Sequence, residues 1–159
     1  MKIGSTHELC AAERAVARYL AGERYKIARS LGIKDGKMGP QSTDATDLEG
    51  IAGEIAFCKI FNLYPDLQIG ERLNYDAILS SGVTVDVKTT KYETGRLLAV
   101  LGKETHAPDA YALMTGVFPG SYTFRGFMWS KDLLINERIG DLGHGYGYMA
   151  NQSMLVEVL

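Results

Sequence analysis

The first stretch of the chain repeats apolar residues at helical spacing. Leu9, Ala12, Val16, Tyr19, Leu20, Ile27 and Leu31 recur mostly at three- and four-residue steps, which predicts one buried face of a helix from about Thr6 to Leu31. Ser5 followed by Glu8 matches a capping box and marks its start. Residues 32–45 are rich in Gly and polar residues and predict an exposed loop. A second helix is expected from a second capping box, Thr46 to Glu49, through Leu48, Ile51, Ile55, Cys58 and Phe61. Its Gly50, Ala52, Gly53 and Ala56 keep it slim enough to lie close against a sheet. Asn62 to Asp66 ends it, because Pro65 blocks continuation. The period then shortens to two. Tyr75–Leu79 and Val83–Thr90 predict a hairpin around Ser80-Ser81-Gly82, with positive φ expected at Gly82. Leu97–Leu101 is a third strand, and Tyr111–Phe118 with Tyr122–Trp129 a second hairpin, with Trp129 in the core. A short helix at Lys131–Asn136, a Gly-rich loop and a terminal strand at Met154–Val158 complete the expected order.

Alternation along Val83–Thr90 separates two kinds of face. Val83, Val85 and Val87 point one way, and Thr84, Asp86, Lys88 and Thr90 the other. A three-residue loop pairs Leu79 with Val83 and sets Asp76 directly across from Asp86. A two-residue loop would turn Asp76 onto the apolar face, so the longer loop is expected. Two facing carboxylates repel. A hard divalent cation removes that penalty, and Mg2+ uses one or two carboxylates plus water and phosphate oxygens. Lys88 lies on the same face, where its ammonium can reach an attacking water and an attacked phosphate.

Composition and charge adjust this picture modestly. The 159 residues, 46% hydrophobic and 23% charged, suit one soluble globular domain. No apolar run is long enough for a membrane helix, and the N-terminus lacks a signal-peptide core, so no membrane partner and a cytoplasmic location are expected. The net charge of -2 argues against a protein that merely coats nucleic acid. Residues 1–37 nevertheless hold eight Lys/Arg against four Asp/Glu. Arg14, Arg18, Tyr25 and Arg29 fall together as a candidate phosphate-tracking stripe, and Lys91 and Arg96 follow the D-x-K strand. Cys10 and Cys58 are expected as two buried free thiols. His7-Glu8 lacks the second histidine of a zinc-protease helix, and His106 and His144 stand alone.

The order of elements, with an acid on an early helix, an Asp opening a hairpin and D-x-K on its second strand, resembles the PD-(D/E)XK nuclease superfamily over roughly Asp47 to Trp129. The usual Pro before the first Asp is replaced by Tyr75. The literal Pro65-Asp66 lies too far from the hairpin to substitute and is expected to be a turn. The resemblance implies an α/β, restriction-endonuclease-like fold with a mixed central sheet flanked by helices. It implies a single domain over 1–159, with an N-terminal helical segment at 1–35 and a catalytic core at 46–129. It further implies Mg2+ or Mn2+ held by Asp76, Asp86, the Val87 carbonyl and Glu54, with Lys88 orienting water. The expected activity is hydrolysis of nucleic-acid phosphodiesters, DNA in preference to RNA, with Lys91, Arg96, Arg14 and Arg18 contacting the nucleic acid. A second copy would let so small a nuclease cut both strands, so a homodimer is a further expectation. The rival expectations are a catalytically idle module of the same fold that binds nucleic acid or protein, and a small interaction protein whose acids are surface.

Overall fold

A computed structural model describes residues 2–32, 43–70 and 73–159, with the side chains of 43–46 excepted. Strand β1 (Thr6–Glu8) leads into helix α1 (Ala11–Ser30) and then helix α2 (Thr43–Ile60). Strands β2 (Ala77–Ile78), β3 (Thr84–Thr90), β4 (Leu97–Val100), β5 (Ala110–Gly116) and β6 (Ser121–Trp129) follow. Helix α3 (Ser130–Leu133) and strands β7 (Ile139–Asp141) and β8 (Tyr146–Ala150) complete the order. Five strands form one mixed sheet in the order β1-β6-β5-β3-β2, in which β3 and β5 run parallel. The other three form an antiparallel sheet, β4-β8-β7.

Two hydrophobic clusters lie on opposite faces of the larger sheet. Val85, Val87, Ala112, Met114, Phe124 and Phe127 pack with α1 and α2. Tyr111, Leu113 and Met128 pack with Leu97 and Ala99 of β4 and Tyr148 and Ala150 of β8. The chain is thus mixed α/β, but α1 and α2 cover one face of the central sheet while the smaller sheet covers the other. Strand β5 is covered on both faces and is buried from Ala110 to Thr115. A register shift between Leu113 and Met114 lets Phe124 and Phe127 share the helix side, where they stack with Phe57 and Phe61.

Helix α1 starts later than expected. Thr6–Glu8 pairs with Thr123–Ser121, and Ser5 Oγ donates to the Lys2 carbonyl instead of capping a helix. The first turn is held by Glu13, whose carboxylate accepts the Cys10 N–H at 2.8 Å and meets His7 at 2.8 Å. Cys10 is exposed and Cys58 buried, so only one thiol is sequestered. The buried stripe is Ala17, Leu20, Ala21 and Arg24, whereas Tyr19, Ile27 and Leu31 face solvent. Small side chains, rather than the most hydrophobic ones, let α1 approach α2.

The expected loop lies largely outside the described residues, and α2 already begins at Thr43, so Thr46 is inside the helix. The Glu49 carboxylate accepts the Phe118 N–H at 2.9 Å and the Tyr122 hydroxyl at 2.6 Å. Asn62 ends α2 with φ 54°, and the Leu63 N–H returns to the Cys58 carbonyl. A Cβ on Gly53 would stand 1.9 Å from Thr89 Oγ1, so this glycine is what allows α2 to touch β3.

The C-terminal third departs most from expectation. The Gly-rich segment is a hairpin, with Gly140 opposite Gly147, and not a loop. The terminal strand reduces to one bridge between Val156 and Phe127. Helix α3 is shorter than expected, and Trp129 is half-buried at its start. No helix among the described residues is long and apolar enough to cross a membrane.

Candidate active site

The β2–β3 hairpin has the expected register: Ala77 faces Val85, Ile78 faces Thr84, and the Leu79 N–H donates to the Val83 carbonyl. Gly82 takes φ 90° in the turn. Asp76 stands one step before β2, just beyond the paired residues and beside the Val85–Val87 stretch of β3. Its N–H donates to the Val85 carbonyl at 2.9 Å. Its carboxylate accepts the Val87 N–H at 2.7 Å, so a side chain continues the ladder where the strand stops.

Strand alternation sends Val85 and Val87 to the helices and Asp86 and Lys88 to the opposite face. Asp86 is 8% exposed, and its Oδ1 lies 2.6 Å from Lys88 Nζ. Burial alone would depress the Lys88 ammonium, but the carboxylates of Asp86, Asp76 and Glu54 reverse this and hold its pKa above the ordinary value. Lys88 is thus a proton-bearing cation at neutral pH. It can donate to an anion and offset charge.

Glu54 projects from α2, and its side chain is only 14% exposed, so it is not a solvent-facing acid. Arg24 approaches it at 3.6 Å, donates to the carbonyls of Asp66 at 2.8 Å and Gln68 at 2.9 Å, and lies 3.9 Å from the Asp66 carboxylate. Asp66 also accepts the Gln68 N–H, as a turn residue does. Burial, with Glu54, Asp76 and Asp66 nearby, pushes the Cys58 thiol up to about 12.

The expected nucleic-acid contacts divide. Lys91 and Arg96 are exposed just beyond β3. Arg18 is exposed with its guanidinium over the Phe118 ring at 4.9 Å, on the helix side. Arg14 donates to the Leu9 carbonyl at 2.6 Å and secures the start of α1.

Among the described residues, no group of three or more His, Cys, Asp and Glu gathers as a complete metal cage would. A hard divalent cation needs fewer: one or two carboxylates suffice when water and phosphate oxygens supply the rest. Asp76 and Asp86 meet that count. Asp86 Oδ1 is buried and meets the Lys88 ammonium at 2.6 Å, a contact a cation would have to replace. The donor chemistry fits Mg2+ or Mn2+ bound by two carboxylates.

Two residues escaped the sequence reading. Arg24 falls seven residues after Ala17 in the small-residue stripe, and a cation in that position signals a buried partner. Tyr111 stands level with Asp86 on the neighbouring strand. That alignment follows only from the parallel pairing of β3 with β5, which no local pattern announces.

These features define a mixed α/β protein with a carboxylate–lysine ion pair on the strand next to one edge of its larger sheet. The chain belongs to DUF5843, a family of unknown function whose model matches residues 1–123. No curated protein and no solved structure matches it.

Proposed function

We propose that the chain is a Mg2+- or Mn2+-dependent nuclease that hydrolyses DNA phosphodiesters from a restriction-endonuclease-like core. The observation that carries this reading is the Asp76 carboxylate bonded to the Val87 N–H, next in the chain to Asp86, with Lys88 ion-paired to Asp86 on the same strand. Asp76 and Asp86 would hold the ion, with the Val87 carbonyl beside them. When bound, such an ion polarises a phosphoryl oxygen and makes water nucleophilic near neutral pH. Lys88 donates to a non-bridging phosphate oxygen and offsets the charge that grows there during in-line attack. Glu54, held by Arg24, adds negative charge from the helix side and orients water. Lys91 and Arg96 engage flanking phosphates. The products would be a 5′-phosphate and a 3′-hydroxyl, as in the enzymes the chain resembles.

Plasmid and single-stranded DNA incubated with Mg2+, Mn2+ or EDTA test the reading. Cleavage should require the metal and fall by about 10²–10³-fold in Asp86→Ala and Lys88→Ala. Equal activity in all three proteins would sink the site assignment. The second reading, an idle module that binds nucleic acid, is favoured by the 2.6 Å contact that already occupies Asp86. It predicts no cleavage with any metal, together with EDTA-resistant DNA binding that Lys91→Ala and Arg96→Ala weaken.

A further inference from the structure

Three tyrosines have their rings buried against the sheets. The Tyr122 hydroxyl donates to Glu49 at 2.6 Å, and the Tyr148 hydroxyl donates to Glu104. Tyr111 differs. It is 0% exposed, and its hydroxyl has no hydrogen-bond partner among the described residues. Phe has nearly the same shape without the hydroxyl, and leaving a hydroxyl dry and unmatched opposes folding.

The place of this hydroxyl gives it a use. Tyr111 is the cross-strand neighbour of Asp86 on the parallel pair β3–β5, so both side chains leave the sheet on the same face. Its ring centroid lies 5.9 Å from Lys88 Nζ. The ring body sits in the apolar cluster with Leu97, Leu113 and Tyr148. Tyr111 Oη is therefore a buried polar atom without a hydrogen bond among the described residues, on the same face of the sheet as the Asp86–Lys88 ion pair. A carboxylate drawn from its lysine toward a cation needs another donor to hold its orientation.

We propose that Tyr111 is a positioning residue of the candidate active site, its hydroxyl donating to the Asp86 carboxylate, directly or through one water, when Asp86 turns to a divalent cation. The inference rests on the nuclease reading. Its test is Mn2+ binding by the whole chain, followed by the electron paramagnetic resonance signal of unbound Mn2+, with thermal melting measured alongside. Tyr111→Phe should weaken Mn2+ about tenfold at an equal or higher melting temperature. Tyr122→Phe, which alters the helix side, should leave Mn2+ affinity unchanged and lower the melting temperature. A folded Tyr111→Phe protein with wild-type affinity would overturn the proposal while leaving the nuclease reading intact. Loss of the fold in that variant would make the hydroxyl a structural group and overturn it too. Absence of Mn2+ binding by the wild type would remove the nuclease reading itself, and the role of Tyr111 with it.

Discussion

Burial assigns different chemistry to residues of the same type. Cys58 is held in the core beside Glu54 and Asp76, and its thiol is pushed up to about 12, whereas Cys10 lies exposed at the start of α1. Thiolate is the reactive form, so the two should separate cleanly. Iodoacetamide at pH 8 should label Cys10 in the native protein, and both cysteines only after unfolding; native labelling at Cys58 would contradict its burial. Lys88 shows the opposite balance, since neighbouring carboxylates outweigh its burial. Because its pKa is raised, the stabilisation from that pairing is fully present below the ordinary lysine value. It is lost only as pH climbs through the higher native one, so the pair persists throughout the neutral range. Arg24 is a cation held inside by oxygens of Glu54, Asp66 and Gln68. Its place on a stripe otherwise made of Ala17, Leu20 and Ala21 could be read only with the distant Asp66–Gln68 turn in hand.

At the scale of elements, α2 and β3 meet with no room for a side chain at Gly53. A methyl at Gly53 meets Thr89 Oγ1 at 1.9 Å and Thr89 Cβ at 2.9 Å. Gly53→Ala should therefore destabilise the protein by about 1–3 kcal/mol, as overpacking does, despite the better helix propensity of Ala. Urea denaturation should show a lower midpoint, and Thr89→Ala in the same chain should recover part of it. A neutral Gly53→Ala would mean that the helix does not lie where it is placed. The β2–β3 hairpin was legible in the sequence because its determinants are local: alternation, a turn of fixed length and Gly82 at positive φ. Strand β1 was not legible, since Thr6–Glu8 became a strand through pairing with residues more than a hundred positions away. The β7–β8 hairpin hid for another reason. Its facing Gly140 and Gly147 erase the hydrophobic alternation by which strands are recognised.

For the molecule as a whole, the smaller sheet is bound into the core. The parallel pair β3–β5 requires a crossover, and β4 lies within that crossover, pairing with β8. Removal of residues 130–159 would strip β8, Tyr148 and Leu155 from Tyr111, Leu113 and Met128, all nearly inaccessible in the intact chain. Such a truncated chain should bind a hydrophobic dye and lose near-ultraviolet circular dichroism while keeping much of its far-ultraviolet signal. A soluble, cooperatively melting fragment would show instead that the smaller sheet is dispensable. The site shares this dependence, because the face that carries Asp86 and Lys88 is the one the smaller sheet closes.

The larger sheet ends on both sides in very short strands, Thr6–Glu8 and Ala77–Ile78. Long open edges invite pairing with other chains, and brevity is one of the ways proteins discourage it. At the β2 edge that brevity has a second effect. Because the strand stops at Ala77, the next bond to Val87 is made by the Asp76 carboxylate instead of a backbone carbonyl. The edge that resists aggregation is thereby also the side from which a long, flexible polymer could approach the acid cluster without first parting a strand from the sheet.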